Sequence, residues 1–439
     1  MSTTTSRDLP EDGHLDATLA LLREGYRFVG RRAARLGSRA FNTRLLLRPA
    51  VALTGHEGAR LFYDESRVHR AGAAPGALQR TIFGVGGVQG LDGTEHRHRK
   101  AMLMSLMTEP ELARLAALNA EEWERAADRW QRQSQVVLLD GASELLCRAI
   151  CRWAGVPLDE SEVPHRTRLL VDMVEGAASP GPRYLRAYRA RAEADRWAAD
   201  LVSSVRRHEQ PPRAAEGKTV SGAPPTAEDA ATPRPDALRV IAWHRDLRGN
   251  LLPEEIAAVE LLNILRPTVA VARWVVYLAV ALHTHADARG HLASGDWRPL
   301  DFIEETRRLY PFFPLAAGRT TATFDWHGYR IPGGQRILLD LYGTNRDPDR
   351  WPHPHRFDPS RFRDREVTPF EFVPHGGGDY LDGHRCAGEP ATLALLETAL
   401  EYLSTRLTYD VPPQDLRIPL DRIPSGPNSG FILTNLRRT

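Results

Sequence analysis

Along most of the chain, apolar residues recur at three- and four-residue intervals, the spacing of one face of an α-helix. The pattern dominates from Leu15 to Arg207, with Leu112–Trp130 and Val137–Trp153 as clear cases. It pauses over Glu209 to Asp236, where Pro, Ala, Gly, Ser and Thr predict a long surface loop or a disordered insertion. Helical patterning resumes at Ala237 without a shift in composition, so a single domain over residues 1–439 is expected. The most apolar stretch, Ile256 to Leu282, is interrupted by Glu260, Asn263, Arg266 and Arg273. A membrane span tolerates few such residues, so this stretch predicts a buried helix.

From Ala322 the period changes to two. Ala322–Ile331 and Arg336–Tyr342 alternate apolar and polar residues around Pro332-Gly333-Gly334, which predicts a β-hairpin. Gly343 to Val373 reads as loop, and a last helix is predicted over about Glu389 to Leu407, with Pro390 in its first turn. The fold class is mostly α with a small β portion near the C-terminus.

Composition adds exclusions. A net charge of +2, from 58 basic and 56 acidic residues, leaves no field for nucleic acid or an anionic membrane. Met1 to His14 is polar and acidic, unlike a secretory signal. Three cysteines make no disulfide framework, and the expected location is the cytoplasm.

One cysteine stands out. Phe372-Val-Pro-His-Gly-Gly-Gly-Asp-Tyr-Leu-Asp-Gly-His384-Arg385-Cys386-Ala-Gly388-Glu389 places Cys386 just before the last helix. A helix N-terminus there favours thiolate over thiol. Gly376–Gly378 would let a flat cofactor approach the backbone, and His384 and Arg385 could reach anionic groups at its edge. Cys147 and Cys151, spaced i, i+4 on an apolar helix, read as core; no further ligand lies nearby for a metal.

This segment resembles the haem-binding loop of the cytochrome P450 superfamily, roughly Phe-x-x-Gly-x-His/Arg-x-Cys-x-Gly, with extra residues between Phe372 and Cys386. The longer loop running into His-Arg-Cys-Ala-Gly-Glu is similar to the bacterial fatty acid peroxygenase branch. The resemblance continues in Leu22-Arg-Glu-Gly-Tyr26, Gly90-Leu-Asp-Gly93, His96-Arg-His-Arg-Lys100, Trp153-Ala-Gly-Val-Pro157 and Thr408-Tyr-Asp-Val-Pro412. The Glu209–Asp236 stretch is longer than the group suggests. The resemblance implies the cytochrome P450 fold, with heme b buried between the long central helix and the loop of its iron ligand, Cys386.

Further residues take roles by the same likeness. Arg70, His96 and Lys100 join His384 as partners of the haem propionates. Glu305, Arg308 and Arg361 match a buried triad behind the haem, with Glu304 and Arg307 as a second-ranked register. Ordinary members carry an acid and an alcohol on the central helix to relay protons; here Arg266-Pro267 takes the place of the acid and its neighbour. Pro267 removes a backbone donor and is expected to kink the helix. The rival reading leaves Arg266 on a solvent-facing polar stripe with Glu260, Asn263 and Arg273.

An unpaired buried guanidinium needs an anion, and a fatty acid carboxylate fits it bidentately. That carboxylate can stand in for the missing acid during peroxide cleavage. The implied activity is hydroxylation of long-chain fatty acids at the α or β carbon with hydrogen peroxide and no redox partner. Phe83-Gly-Val-Gly-Gly-Val-Gln89 resembles the segment lining the distal pocket. Its glycines could suggest a phosphate loop, yet no Lys-Ser/Thr follows. Gln89 stands where decarboxylating relatives carry His, and an amide is no titratable donor, which favours hydroxylation over alkene-forming decarboxylation. Arg266-Pro267 argues against a conventional electron-fed monooxygenase. A haem sensor would need an output domain, and none is evident.

Overall fold

The computed structural model describes residues 7–177, 179–211 and 235–439. Most of the stretch predicted as a loop, 212–234, lies outside the described residues. Its described ends converge: Arg239 donates to Glu209 on one side at 2.7 Å and pairs with Asp236 on the other.

Helices build the larger part. Glu109–Trp130 opens with Pro110 in its first turn, where a missing N–H costs nothing. Leu138–Ala154 ends at Gly155, whose φ of 72° is left-handed. Both pack their apolar faces into one large core with Pro182–His208 and the central helices. Cys147 and Cys151 sit fully buried in that core.

The apolar stretch predicted as one buried helix forms two, Glu254–Ala270 and Ala272–Thr284. By length and composition Glu254–Thr284 could cross a membrane, but 83% of its most apolar window is buried inside the protein. The helix runs through Pro267, and its interruption falls at Val271, whose N–H bonds Thr268 at i−3. Arg266, Glu260 and Arg273 are buried, which removes the solvent-stripe reading.

The β portion differs from expectation in two ways. Ala322–Ile331 is itself a hairpin, Phe324–Trp326 against Tyr329–Ile331, turning at His327-Gly328 with positive φ at both. Arg336–Asp340 leaves it to pair with Leu315–Thr320 and, in parallel, with Arg48–Thr54. The resulting five-stranded sheet runs Ala40–Leu45, Arg48–Thr54, Arg336–Asp340, Leu315–Thr320, Val68–His69. Its first two strands lie inside the region read as helical. Ala50 and Ala52 face one apolar cluster while Val51 and Leu53 face another. A strand buried on both faces shows no alternation, which is why its pattern misled. The last helix runs over Glu389–Glu401 and continues as a π-helical turn over Tyr402–Arg406, close to the predicted span, before Leu407–Asp410 forms a strand.

Candidate active site

Cys386 lies at the start of the Glu389–Glu401 helix, with Gly388 as N-cap and its own N–H bonded to the His375 carbonyl at 3.1 Å. Burial pushes its thiol up, Glu389 adds to this, and the Gly388 N–H, Lys100 and Arg307 pull the other way. The helix terminus therefore does not by itself secure a thiolate; coordination to a cation would. The glycines before it serve the loop itself: a Cβ at Gly377 would meet the Pro369 carbonyl at 2.2 Å, and one at Gly378 would meet Tyr63 at 2.9 Å.

Behind the loop, the Pro299–Leu309 helix carries two ion networks, one to the segment 345–361 and one to the loop itself. Glu305 receives Arg308 Nε at 2.6 Å and Nη2 at 2.8 Å, Arg361 Nε at 3.2 Å, and the Asp358 N–H at 2.8 Å. Glu305 and Arg308 are wholly buried. Glu304 and Arg307 form a separate network with Glu389, extended by Arg385 on Glu389 at 2.6 Å and His375 Nδ1 on Arg307 at 2.6 Å. Burial would raise the Glu389 carboxyl, but Arg307, His375 and Arg385 outweigh it and bring it down to about 2. The sequence offered the two registers as alternatives; both exist, in different jobs.

On the other side of Cys386 lies a cluster of buried donors. His96 and His384 stack at 3.8 Å between centroids. His384 Nε2 is 3.6 Å from Asp92, and His96 Nδ1 is buried with no hydrogen-bond partner among the described residues. Burial and the neighbouring His384 bring His96 down to about 3. Arg70 stacks on Phe62 at 3.8 Å and donates only a 3.4 Å bond to the Ala317 carbonyl. Lys100 donates to the Gly383 carbonyl at 2.9 Å and to that of Arg385. A cavity of about 140 Å³ bounded by Phe62, Tyr63, Arg70 and His384 adjoins them. Arg70 and His96, buried and poorly partnered beside a single cysteine, fit a haem, with Cys386 for iron and Arg70 and His96 for propionates; Lys100 and His384 could join them by exchanging the carbonyls and Asp92 they now meet.

The third part is on the Glu254–Ala270 helix. Glu260, Asn263 and Arg266 follow at three-residue steps along one face. Glu260 accepts from the Val88 N–H at 2.8 Å, Arg99 at 2.9 Å and Asn263 at 3.1 Å. The Asn263 amide also donates to Gln89 at 3.2 Å, and its oxygen accepts from Arg266 Nη2 at 3.3 Å. Among the described residues, Arg266 Nη1 is buried without a partner, and no carboxylate lies within ion-pair range of this guanidinium. Burial, then the nearby Arg191, push Arg266 down to about 9; Cys386, Asp195 and Glu260 oppose this.

Gly87 brings the Gln89 loop onto the helix, since a Cβ there would meet Val259 at 2.8 Å and Asn263 at 3.1 Å. The glycines before Gln89 thus serve helix contact, and Phe83 closes the preceding turn, half-buried. Sequence reasoning missed Arg99, His375 and Glu389 as members of these networks and Arg191 as a nearby charge, and treated Asn263 only as an interruption and as part of the polar stripe. The i, i+3, i+6 spacing of Glu260, Asn263 and Arg266 was the available signal. The long-range partners left none.

The cytochrome P450 family model matches residues 301–423. Cytochrome P450 84A4 of Arabidopsis thaliana is 36% identical over 115 residues, 25% of this chain and 22% of that protein. The match thus spans about a fifth of that curated relative. Solved structures match over the whole length. Cytochrome P450EX alpha (CYP152N1), solved with myristic acid, is 43% identical, with 99% of this chain and 100% of that one covered and a TM-score of 0.91. Ligand-free cytochrome P450 OleT is 32% identical, with 98% and 99% covered and a TM-score of 0.90. The chain belongs to the cytochrome P450 family.

Proposed function

We propose that this cytochrome P450 is a fatty acid peroxygenase. It carries heme b and uses hydrogen peroxide to hydroxylate long-chain fatty acids at the α or β carbon, in the cytoplasm and without a redox partner. The observation that carries the reading is Arg266: a buried guanidinium, near Cys386, with one neutral hydrogen-bond acceptor and no counter-ion among the described residues. Such a charge is costly until an anion pairs with it. The solved relative that is 43% identical holds myristic acid, a long-chain carboxylic acid. All three cysteines are free thiols, which suits a reducing compartment.

When bound, the haem supplies the oxidising chemistry, with Cys386 as its thiolate ligand. Arg266 binds the substrate carboxylate through two N–H donors, so the first carbons of the chain are held at a fixed distance from it. Asn263 holds the guanidinium from behind through its oxygen and Gln89 through its amide. Pro267 has no N–H, which leaves the Asn263 carbonyl without its helical donor. Phe83 supplies apolar wall for the substrate chain.

Among the described residues no carboxylate pairs with Arg266 to relay a proton. A carboxylate oxygen of the substrate, paired with Arg266, would stand where that acid is missing, placed to hold a proton of hydrogen peroxide and to give it back to the oxygen that leaves as water; the oxidation itself would be the haem's chemistry. Gln89 cannot titrate, which favours hydroxylation over decarboxylation. Turnover with hydrogen peroxide alone tests the proposal: 2- and 3-hydroxy acids are expected. Product formed only with a reductant and an electron-transfer protein would overturn it.

A further inference from the structure

The hairpin joining Ala40–Leu45 to Arg48–Thr54 turns in two residues, since Leu45 faces Arg48 across it. The two turn residues are Leu46 and Leu47, at φ 55° and 59°. A turn of this kind is normally made by Asn-Gly, because side chains beyond Cβ are unfavourable in the left-handed region. Here two leucines occupy it and stand in solvent, Leu47 at 76% exposure. Folding stability alone would select against them.

They are not isolated. The Leu46 N–H donates to Thr18 Oγ1 at 2.6 Å, the Leu47 N–H to Asp16, and the Ala17 N–H to the Arg44 carbonyl at 2.8 Å. These bonds fasten the turn to the Thr18–Glu24 helix and the segment before it, which expose Leu15 at 93%, Leu19 and Leu22. Five exposed leucines thus belong to one tip of the molecule. Arg23, Arg44 and Arg48 flank them, exposed and without an ion-pair partner among the described residues. The nearby carboxylates are committed: Asp12 to Arg32 and Arg35, Glu24 to Arg32, and Asp16 to the turn itself.

We propose that this leucine tip docks the protein on an anionic lipid surface. Leucines project into the acyl boundary and the flanking arginines meet lipid phosphates, the pairing of buried apolar area and positive charge that interfacial binding uses. The net charge of +2 gives the whole chain no field for an anionic membrane, so the attraction here is local and short-ranged. A protein partner would meet the leucines equally well, but the unpaired arginine rim favours a surface dense in negative charge. The tip is distant in sequence from Cys386 and Arg266, and docking does not depend on the catalytic reading.

The test uses the haem-loaded full chain and sedimentation with vesicles of phosphatidylcholine alone or mixed with phosphatidylglycerol. Binding is expected to the mixed vesicles, weakened by high salt. The double variant Leu46→Asn, Leu47→Gly keeps the turn type and relieves its strain, so it should fold with an unchanged or raised melting temperature. Its vesicle affinity should fall at least about tenfold. A wild-type chain that ignores mixed vesicles, or a folded variant that binds them equally, overturns the proposal. So does a concentration-dependent dimer that the double variant abolishes, which would assign the tip to a second copy of the chain. Peroxide turnover reads none of these outcomes.

Discussion

Arginines are buried on both sides of the Cys386 loop, and the two sides treat them oppositely. Behind the loop, Arg308 and Arg307 are each matched by carboxylates, Glu305 for one and Glu304 with Glu389 for the other. On the central helix, Arg266 is also buried but, among the described residues, bonds only the neutral Asn263. Charge burial is costly on both sides. Where the protein supplies the counter-ion, the arginine holds the fold. Where it withholds one, the arginine is set for a ligand.

The largest expected effect lies between the two sides. Cys386→Ala should abolish the red-shifted Soret band of the carbon monoxide adduct of the reduced protein. An unchanged spectrum would put the ligand elsewhere. Next in size is the contrast between the arginines themselves. Arg308→Ala strands Glu305 and should cost about 3–5 kcal/mol in urea unfolding, with haem lost. Arg266→Ala should retain fold and haem, while fatty acid binding falls about 100-fold or more in spectral titration. Equal destabilisation by both variants would dissolve the distinction.

A pH measurement sharpens the paired side. The folded-state pKa of Glu389, about 2, lies below its ordinary value of 4.5. Its stabilisation is therefore full above about pH 4.5 and is lost as pH falls toward 2. It amounts to about 3 kcal/mol. Glu389→Gln should flatten the acid limb of the stability curve over that window and leave Arg266-dependent binding near neutral pH untouched. The smallest effect is on the ligand side. Asn263→Ala removes one neutral hydrogen bond to Arg266, and KM should rise by about five- to tenfold, near 1 kcal/mol, with kcat changed less.

The same contrast explains what could be read from the sequence. Cys386, with its glycine-rich approach and the helix after it, is a local pattern. Glu305 and Arg308 share a helix face three residues apart. Arg266 interrupts an apolar helix. All of these are visible within a few residues. The partners that define the two sides come from far away: Glu389 is 82 residues from Arg307, and Arg99 is 161 from Glu260. The fold was legible in the same measure. Helices carry their period locally, whereas Arg48–Thr54 pairs with Arg336–Asp340 across most of the chain and is buried on both faces. The hairpin was misassigned because Pro332-Gly333-Gly334 is the stronger turn signal, although His327-Gly328 makes the turn.

The central claim is that the anion brought to Arg266 takes part in the reaction. An apolar substrate lacking a carboxylate should then react poorly with hydrogen peroxide alone. Adding a short carboxylic acid, too small to be oxidised itself, should pair with Arg266 and restore turnover. The restored rate should saturate with the acid and vanish in Arg266→Ala. Equal peroxide-driven rates with and without the short acid would contradict the claim, even with Cys386 and Arg266 otherwise confirmed in their places.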